Sequence, residues 1–233
     1  MLSREELLSG ELIVEGRLVD ASNATLFGKV LTSDQSSFSV VYKPIAGERA
    51  LWDFANGNHA SREVASHLIS EVGQFNCVPL TVMRDGPFGM GAVQQWIDLD
   101  PNLDLIAIGQ RSTPAIRNLA LFDVVINNTD RKFGHILPIS ESEILGCDHG
   151  LTFHEEFKLR TVLWQYAGQE LDKEEISKLE SLKRRISGDI GASLGELITK
   201  DEIESLLERI EMLISEGFPY PSEQWPAVPW PPV

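Results

Sequence analysis

Apolar residues recur along this chain at two periods, and the change from one to the other divides it. Residues 12–19 and 25–31 are strand-like runs separated by Asp20-Ala21-Ser22-Asn23-Ala24, a polar turn composition, so they predict a hairpin. Residues 38–43 read as a third strand that Pro44 ends, and its period of two puts Lys43 on the same face as Ser39 and Val41. Over 60–72, Val64, Ala65, Leu68, Ile69 and Val72 recur at helical spacing, with Gly73 as the C-terminal cap and Glu63 in the first turns. His59 and His67 are expected on or beside the surface of that helix. Residues 78–83 and 91–97 flank Arg84-Asp85-Gly86-Pro87, which predicts a second hairpin, and 98–102 read as a linker.

Beyond the linker the period becomes helical. Ser112-Thr113-Pro114 offers an N-cap with proline at the first helical position, and Ile116, Leu119, Ala120 and Val124 form one apolar face. Residues 135–139 and 143–147 bracket Ser140-Glu141-Ser142 and predict a short hairpin that ends at Asp148. Further helices are expected over 159–167, 173–186 and 201–215. The tail, 218–233, is too rich in proline to continue a helix or join a central strand, and its tryptophans favour packing of an extended strip against the body. A β-rich part followed by a mostly helical part makes the fold class α+β.

At 233 residues the chain suits one sizeable domain, or two small lobes that share a cleft. A formal net charge of −15 repels phosphate backbones and anionic lipid surfaces, so nucleic acid is excluded as an expected partner. No run of about 18 apolar residues occurs, so no integral membrane segment is expected, and the first residues lack a signal-peptide pattern. The expected compartment is cytoplasmic. Cys77 and Cys147 have no metal-ligand spacing and read as free, buried thiols.

Candidate chemistry centres on Asn128-Thr129-Asp130-Arg131 and Asp148-His149-Gly150. Asn128 and Thr129 favour tight side-chain-to-backbone turns, and the Arg131 guanidinium can pin the loop on a carboxylate, which would fix Asp130; the same residues also suit an ordinary capped turn. Gly150 lets the backbone turn sharply beside Asp148. One Asp to orient a hydroxyl and a second to hold a metal is what phosphoryl transfer requires, since that chemistry is mostly alignment and charge neutralisation. Lys43 on a strand and Glu63 on the following helix can pair across a cleft so that the ammonium meets nucleotide phosphates, although such residues also populate solvated surfaces. A metal-hydrolase cluster of His135, Asp148, His149 and His154 has neither an HExxH nor a zinc-finger spacing.

In this order, Lys43, Glu63, Asn128-Thr129-Asp130-Arg131 and Asp148-His149-Gly150 resemble the atypical kinases grouped around phosphatidylinositol 3/4-kinases and the bacterial HipA-type protein kinases. The resemblance is strongest to an actinobacterial family of phosphatidylinositol-kinase-like proteins and spans roughly residues 10 to 170. It implies a bilobal kinase-like fold, with an N-lobe of about 1–97, a C-lobe of about 98–217 and the tail 218–233. It implies ATP and Mg or Mn as cofactors, Lys43 as the ATP-binding lysine, Glu63 as its helix partner, Asp130 with Arg131 as the catalytic pair, and Asp148 as a metal ligand. Ser22-Asn23-Ala24-Thr25 would match the phosphate-covering turn, and Gln95-Trp96-Ile97 the hinge that meets adenine. His135 stands where such kinases place a metal-binding Asn, five residues after the catalytic Asp, and imidazole suits Mn²⁺ better than Mg²⁺. The implied function is transfer of the ATP γ-phosphate to a hydroxyl of a protein, a small molecule or, by the family likeness, a phosphoinositide; the alternative is a pseudokinase or nucleotide-binding scaffold without turnover.

Overall fold

The structure, a computed structural model, describes residues 2–18, 24–49, 53, 54 and 56–233. Five strands form one antiparallel sheet: β1 (Glu11–Arg17), β2 (Leu26–Leu31), β3 (Ser37–Pro44), β4 (Thr81–Gly86) and β5 (Gly89–Gln95), in the order β1-β2-β3-β5-β4. Register follows the side-chain alternation. Val30, Val40, Tyr42, Val82 and Val93 point to one face, where they pack with Leu2, Leu7 and Leu12. Leu7 belongs to α1 (Arg4–Ser9), a helix that the sequence reading missed. Its N-terminus is closed by a capping box of Ser3 and Glu6, a local signal too short to show as periodicity.

On the opposite face of the sheet lies α2 (His59–Val72), with Ala60 and Val64 against Ala92 and Met83. Lys43 pairs with Ala92 across β3 and β5, so it is on this same face. Ala65, Ile69 and Val72 of α2 belong instead to the main apolar core. A helix packed on two sides buries its polar positions too: Ser61, Arg62, Glu63, Ser66, His67 and Ser70 are all inside. That corrects the expectation for the histidines, since His67 is buried and His59 lines a cavity between the sheet and the remainder of the chain.

The main core is built by α4 (Pro114–Val125), α5 (Lys173–Ile186) and α7 (Lys200–Glu216), with the small helices α3 (Leu105–Gly109) and α6 (Gly191–Gly195) at its margins. Thr113 caps α4 and Pro114 occupies its first turn, as the sequence predicts. A hairpin of β6 (Ile136–Pro138) and β7 (Ile144–Gly146) leads to Asp148. Two expectations shift. The β4–β5 turn falls at Pro87 and Phe88 rather than at 84–87, because β4 stays paired through Gly86. Val19, the expected end of the first strand, lies outside the described residues. Residues 159–167 are not a helix: they form an extended segment with one 3-10 turn, Trp164–Tyr166. The tail does pack on the body, where Phe133 N–H donates to Pro232 O and Thr161 N–H to Ala227 O. No helix among the described residues is long and apolar enough to cross a membrane.

Candidate active site

Strand parity and helix burial bring three charged side chains together. Lys43 Nζ donates to Glu63 Oε1 and, at 2.8 Å, to Asp148 Oδ1. The side chains of Glu63, Lys43 and Asp148 are 2, 20 and 52% exposed, so the arrangement runs from the interior to the open cleft. Burial alone would lower the Lys43 pKa, but Asp148 and Glu63 outweigh it and hold the ammonium above the ordinary lysine range. The same ammonium keeps the Asp148 carboxyl well below the usual carboxylate range, against the effect of burial. Asp148 itself is left-handed, with φ 59°, a conformation that Asp tolerates better than most side chains and that sets it at the turn after β7.

The loop carrying Asp130 is fixed by side chains that bond to main chain. Asn127, left-handed at φ 52°, ends α4 and donates to the carbonyls of His154 and Glu156. Asn128 donates to Asp123 Oδ1 and accepts the Asp130 N–H at 3.0 Å, so the Asp130 backbone is held from below. Arg131 is fully buried. It forms a fork on Asp123, with Nε to Oδ2 and Nη2 to Oδ1 at 2.9 Å each, and Nη1 donates to the carbonyls of His135 and Cys147. Gly146 leaves the room it needs, because a Cβ there would lie 2.8 Å from Arg131 Nη2. Arg131 therefore pins the loop, as the sequence suggests, and does not line the cleft.

Asp130, His135 and Asp148 converge, with one ligand atom from each lying within 4.8 Å of the others. His135 Nε2 is 3.5 Å from Asp148 Oδ2. Burial, helped by the nearby cations and opposed by Asp148, pushes the His135 pKa down to about 4, so the ring is neutral near pH 7 and has a lone pair to offer. Burial raises the Asp130 pKa above the ordinary value, opposed by Lys132, whose Nζ is 3.4 Å from Oδ2. Two carboxylates and one neutral imidazole make a donor set that fits a divalent cation. All three line a cavity of about 180 Å³ with Lys43, Glu63, Lys132, His59 and Glu48. That is below the roughly 300–1,000 Å³ of pockets that enclose a whole ligand, and it suits the phosphate end of one. A larger cavity of about 470 Å³ lies near Leu103, Ile108 and Ile139, but the convergent ligand set found among the described residues is not in it.

Of the residues expected at the site, Lys43, Glu63, Asp130, His135 and Asp148 thus share one cavity. Gln95, Trp96 and Ile97 do not line it; Gln95 ends β5 and the other two follow it, with Trp96 edge-on to Phe27 at 5.3 Å. Ser22 and Asn23 lie outside the described residues, while Ala24 and Thr25 line the cavity. The hydrolase-like cluster does not form: His154 Nε2 is 2.8 Å from Asp53 O, and the His149 ring points to Arg131. Sequence reasoning missed Lys132, although it is two residues from Asp130 and so on the same side of an extended segment. It also missed Glu48, which caps the N-terminus of α2 by accepting the His59 and Ala60 N–H groups at 2.8 Å, and for which no local signal exists.

No protein-family model matches this chain. Over 97% of its length it is 37% identical to protein Rv2133c of Mycobacterium tuberculosis, and it spans 93% of that protein. A stretch of 47% of the chain is 28% identical to phosphatidylinositol 4-kinase gamma 4 of Oryza sativa subsp. japonica, of which it covers 23%. Among solved structures, hydra Fam20 with sugar superposes with a TM-score of 0.61 at 13% identity, over 91% of this chain and 86% of that one. The Golgi casein kinase with Mn/ADP bound gives 0.59 at 12% identity, over 91% and 74%. These likenesses show the fold to be a bilobal, kinase-like α+β fold.

Proposed function

The chain belongs to the family of protein Rv2133c, and on that premise we propose that it is an ATP-dependent phosphotransferase of the atypical kinase type, acting in the cytoplasm. The observation that carries this reading is the convergence of Asp130, His135 and Asp148 beside the Lys43–Glu63 pair. Residues 1–97 and 98–217 form the two lobes in this reading, and the nucleotide base lies outward of the small cavity, towards Gln95, Trp96 and Ile97. Support for a nucleotide with a divalent ion comes from the Mn/ADP bound to the Golgi casein kinase.

Asp130 accepts the hydrogen bond of the acceptor hydroxyl and aligns it; its raised pKa suits a group that takes up the proton as the hydroxyl oxygen bonds to the γ-phosphorus and the bond from that phosphorus to the departing ADP breaks. Lys43, oriented by Glu63, meets the phosphates and gives up Asp148 when they arrive. Lys132 adds a second positive charge beside the transferring group. Asp148 and His135 would hold the divalent ion, whose chemistry is to neutralise charge on the phosphates. An imidazole among the ligands favours Mn²⁺ over Mg²⁺. The net charge of −15 argues for a protein or small soluble acceptor rather than a lipid in an anionic membrane. The likeness to a phosphatidylinositol 4-kinase supports a phosphoinositide instead.

Thermal unfolding with ATP and either Mg²⁺ or Mn²⁺ tests the reading, because a ligand that binds only the folded state must raise Tm. A rise with ATP and Mn²⁺ together is expected; no rise with either metal would refute it. The second reading, a pseudokinase, is motivated by His135 in the metal position and predicts the same rise without transfer.

A further inference from the structure

Behind the Lys43–Glu63 pair, a set of buried polar groups meets that the transfer scheme does not use. Arg131 can only donate, so His149 Nε2, 2.7 Å from Arg131 Nη2, must accept. A ring that accepts at Nε2 holds no proton there and is therefore neutral. A neutral ring that accepts at Nε2 carries its proton on Nδ1. That Nδ1 is buried without a hydrogen-bond partner and lies 4.0 Å from Glu63 Oε2, which is also buried without one. A buried donor faces a buried acceptor, and an approach of about 1 Å makes them a hydrogen bond. The ring is held edge-on to Phe122, so it has little freedom to turn away.

We infer that His149 is a positioning residue for Glu63: its Nε2 accepts from Arg131, and its Nδ1–H takes Glu63 Oε2 and leaves Oε1 for Lys43. The contact with Glu63 then bears on Lys43, which shares that carboxylate. Its consequence for ligand binding rests on the reading of the cleft as a nucleotide site.

Two measurements decide it. The first uses ¹⁵N histidine spectra of the ligand-free protein, which report the tautomer directly. The Nδ1–H form is expected for His149, with a ¹⁵N shift that moves in Glu63→Gln; the Nε2–H form, or a shift indifferent to that substitution, overturns the inference. The second compares variants for binding a non-hydrolysable ATP analogue with Mn²⁺. His149→Asn keeps a donor near the Nδ1 position and loses the contact with Arg131, whereas His149→Gln keeps an acceptor near Nε2 and loses the donor to Glu63. If the tie to Glu63 is what positions Lys43, His149→Asn stays within about threefold of wild type while His149→Gln and His149→Phe weaken binding about tenfold or more, the loss expected for a hydrogen bond to a charged group. Equal weakening by the Asn and Gln variants reduces His149 to a packing residue and overturns the inference. If the wild type binds no nucleotide, the proposed function falls, and the spectra still decide the tie.

Discussion

Lys43→Met is expected to cost far more stability than its place at a strand end suggests. From sequence alone Lys43 is a cleft-surface lysine, and truncating such a residue seldom costs more than about 0.5 kcal/mol. The structure raises the figure because Lys43 serves Glu63, whose carboxylate is 2% exposed. Removing one partner of a buried ion pair costs about 3–5 kcal/mol, since the other charge stays behind uncompensated. Lys43 is 20% exposed and water can enter from the cleft, so about 2–3 kcal/mol is a fairer expectation here. Asp148, half exposed, is resolvated and adds little. For a chain of this size, that loss lowers Tm by about 5–10 °C. Urea and thermal unfolding of the single variant and of Lys43→Met/Glu63→Gln measure it. The double variant, which removes the orphaned charge, should recover more than half of the loss while remaining unable to bind nucleotide. A single variant within about 0.5 kcal/mol of wild type, or a double variant no more stable than the single, would refute the reasoning.

Other expectations follow from the same geometry. With its folded pKa near 4, His135 stays neutral while the unfolded chain protonates near 6.5, so its contribution is intact above about pH 6.5 and is lost as the pH falls towards 4. The loss amounts to at most about 3 kcal/mol. His135→Asn should flatten that part of the stability–pH curve without abolishing it, because His149, His67 and His59 are shifted in the same direction; an unchanged curve would show that His135 is not buried as described. The same substitution should move the metal preference of nucleotide binding from Mn²⁺ towards Mg²⁺, and an unaltered Mn²⁺-to-Mg²⁺ affinity ratio would remove His135 from the ligand set. Glu202→Ala strands Arg62, its partner at 2.5 Å on α2, with both side chains nearly inaccessible, and should cost about 3–5 kcal/mol in urea unfolding. A cost under about 1 kcal/mol would mean that Arg62 is sufficiently held by the carbonyls of Thr152 and Asn56.

What was legible in the sequence was whatever local chemistry determines. Helix α4 shows its cap and its proline, α5 and α7 show long amphipathic faces, and the parity of β3 aims Lys43 at α2. That Lys43, Glu63, Asp130, His135 and Asp148 meet in one cavity was legible from their order along the chain and the elements that carry them. Non-local partners were not. Leu159, Leu163 and Tyr166 are buried at intervals that imitate a helix, yet their segment is threaded between the Asp130 loop and the tail. Arg160 N–H donates to Asn128 O, Thr161 N–H to Ala227 O and Val162 N–H to Arg131 O, and these tertiary hydrogen bonds replace the helical ones. In the same way α2 reads as amphipathic, and only the packing on both of its sides explains why Glu63 and His67 are interior.

If Asp130 and Asp148 form a phosphoryl-transfer site, the fate of the γ-phosphate reports it most directly. ATP labelled at that position is incubated with wild-type protein, Asp130→Ala and Asp148→Ala, with Mn²⁺ and a host lysate as the source of acceptors. Transfer is expected from wild type, none from Asp148→Ala, and none from Asp130→Ala even though that variant still binds nucleotide and metal. Transfer by Asp130→Ala at the wild-type rate would contradict that expectation. Metal-dependent nucleotide binding by a wild type that transfers nothing would leave the pseudokinase reading in its place.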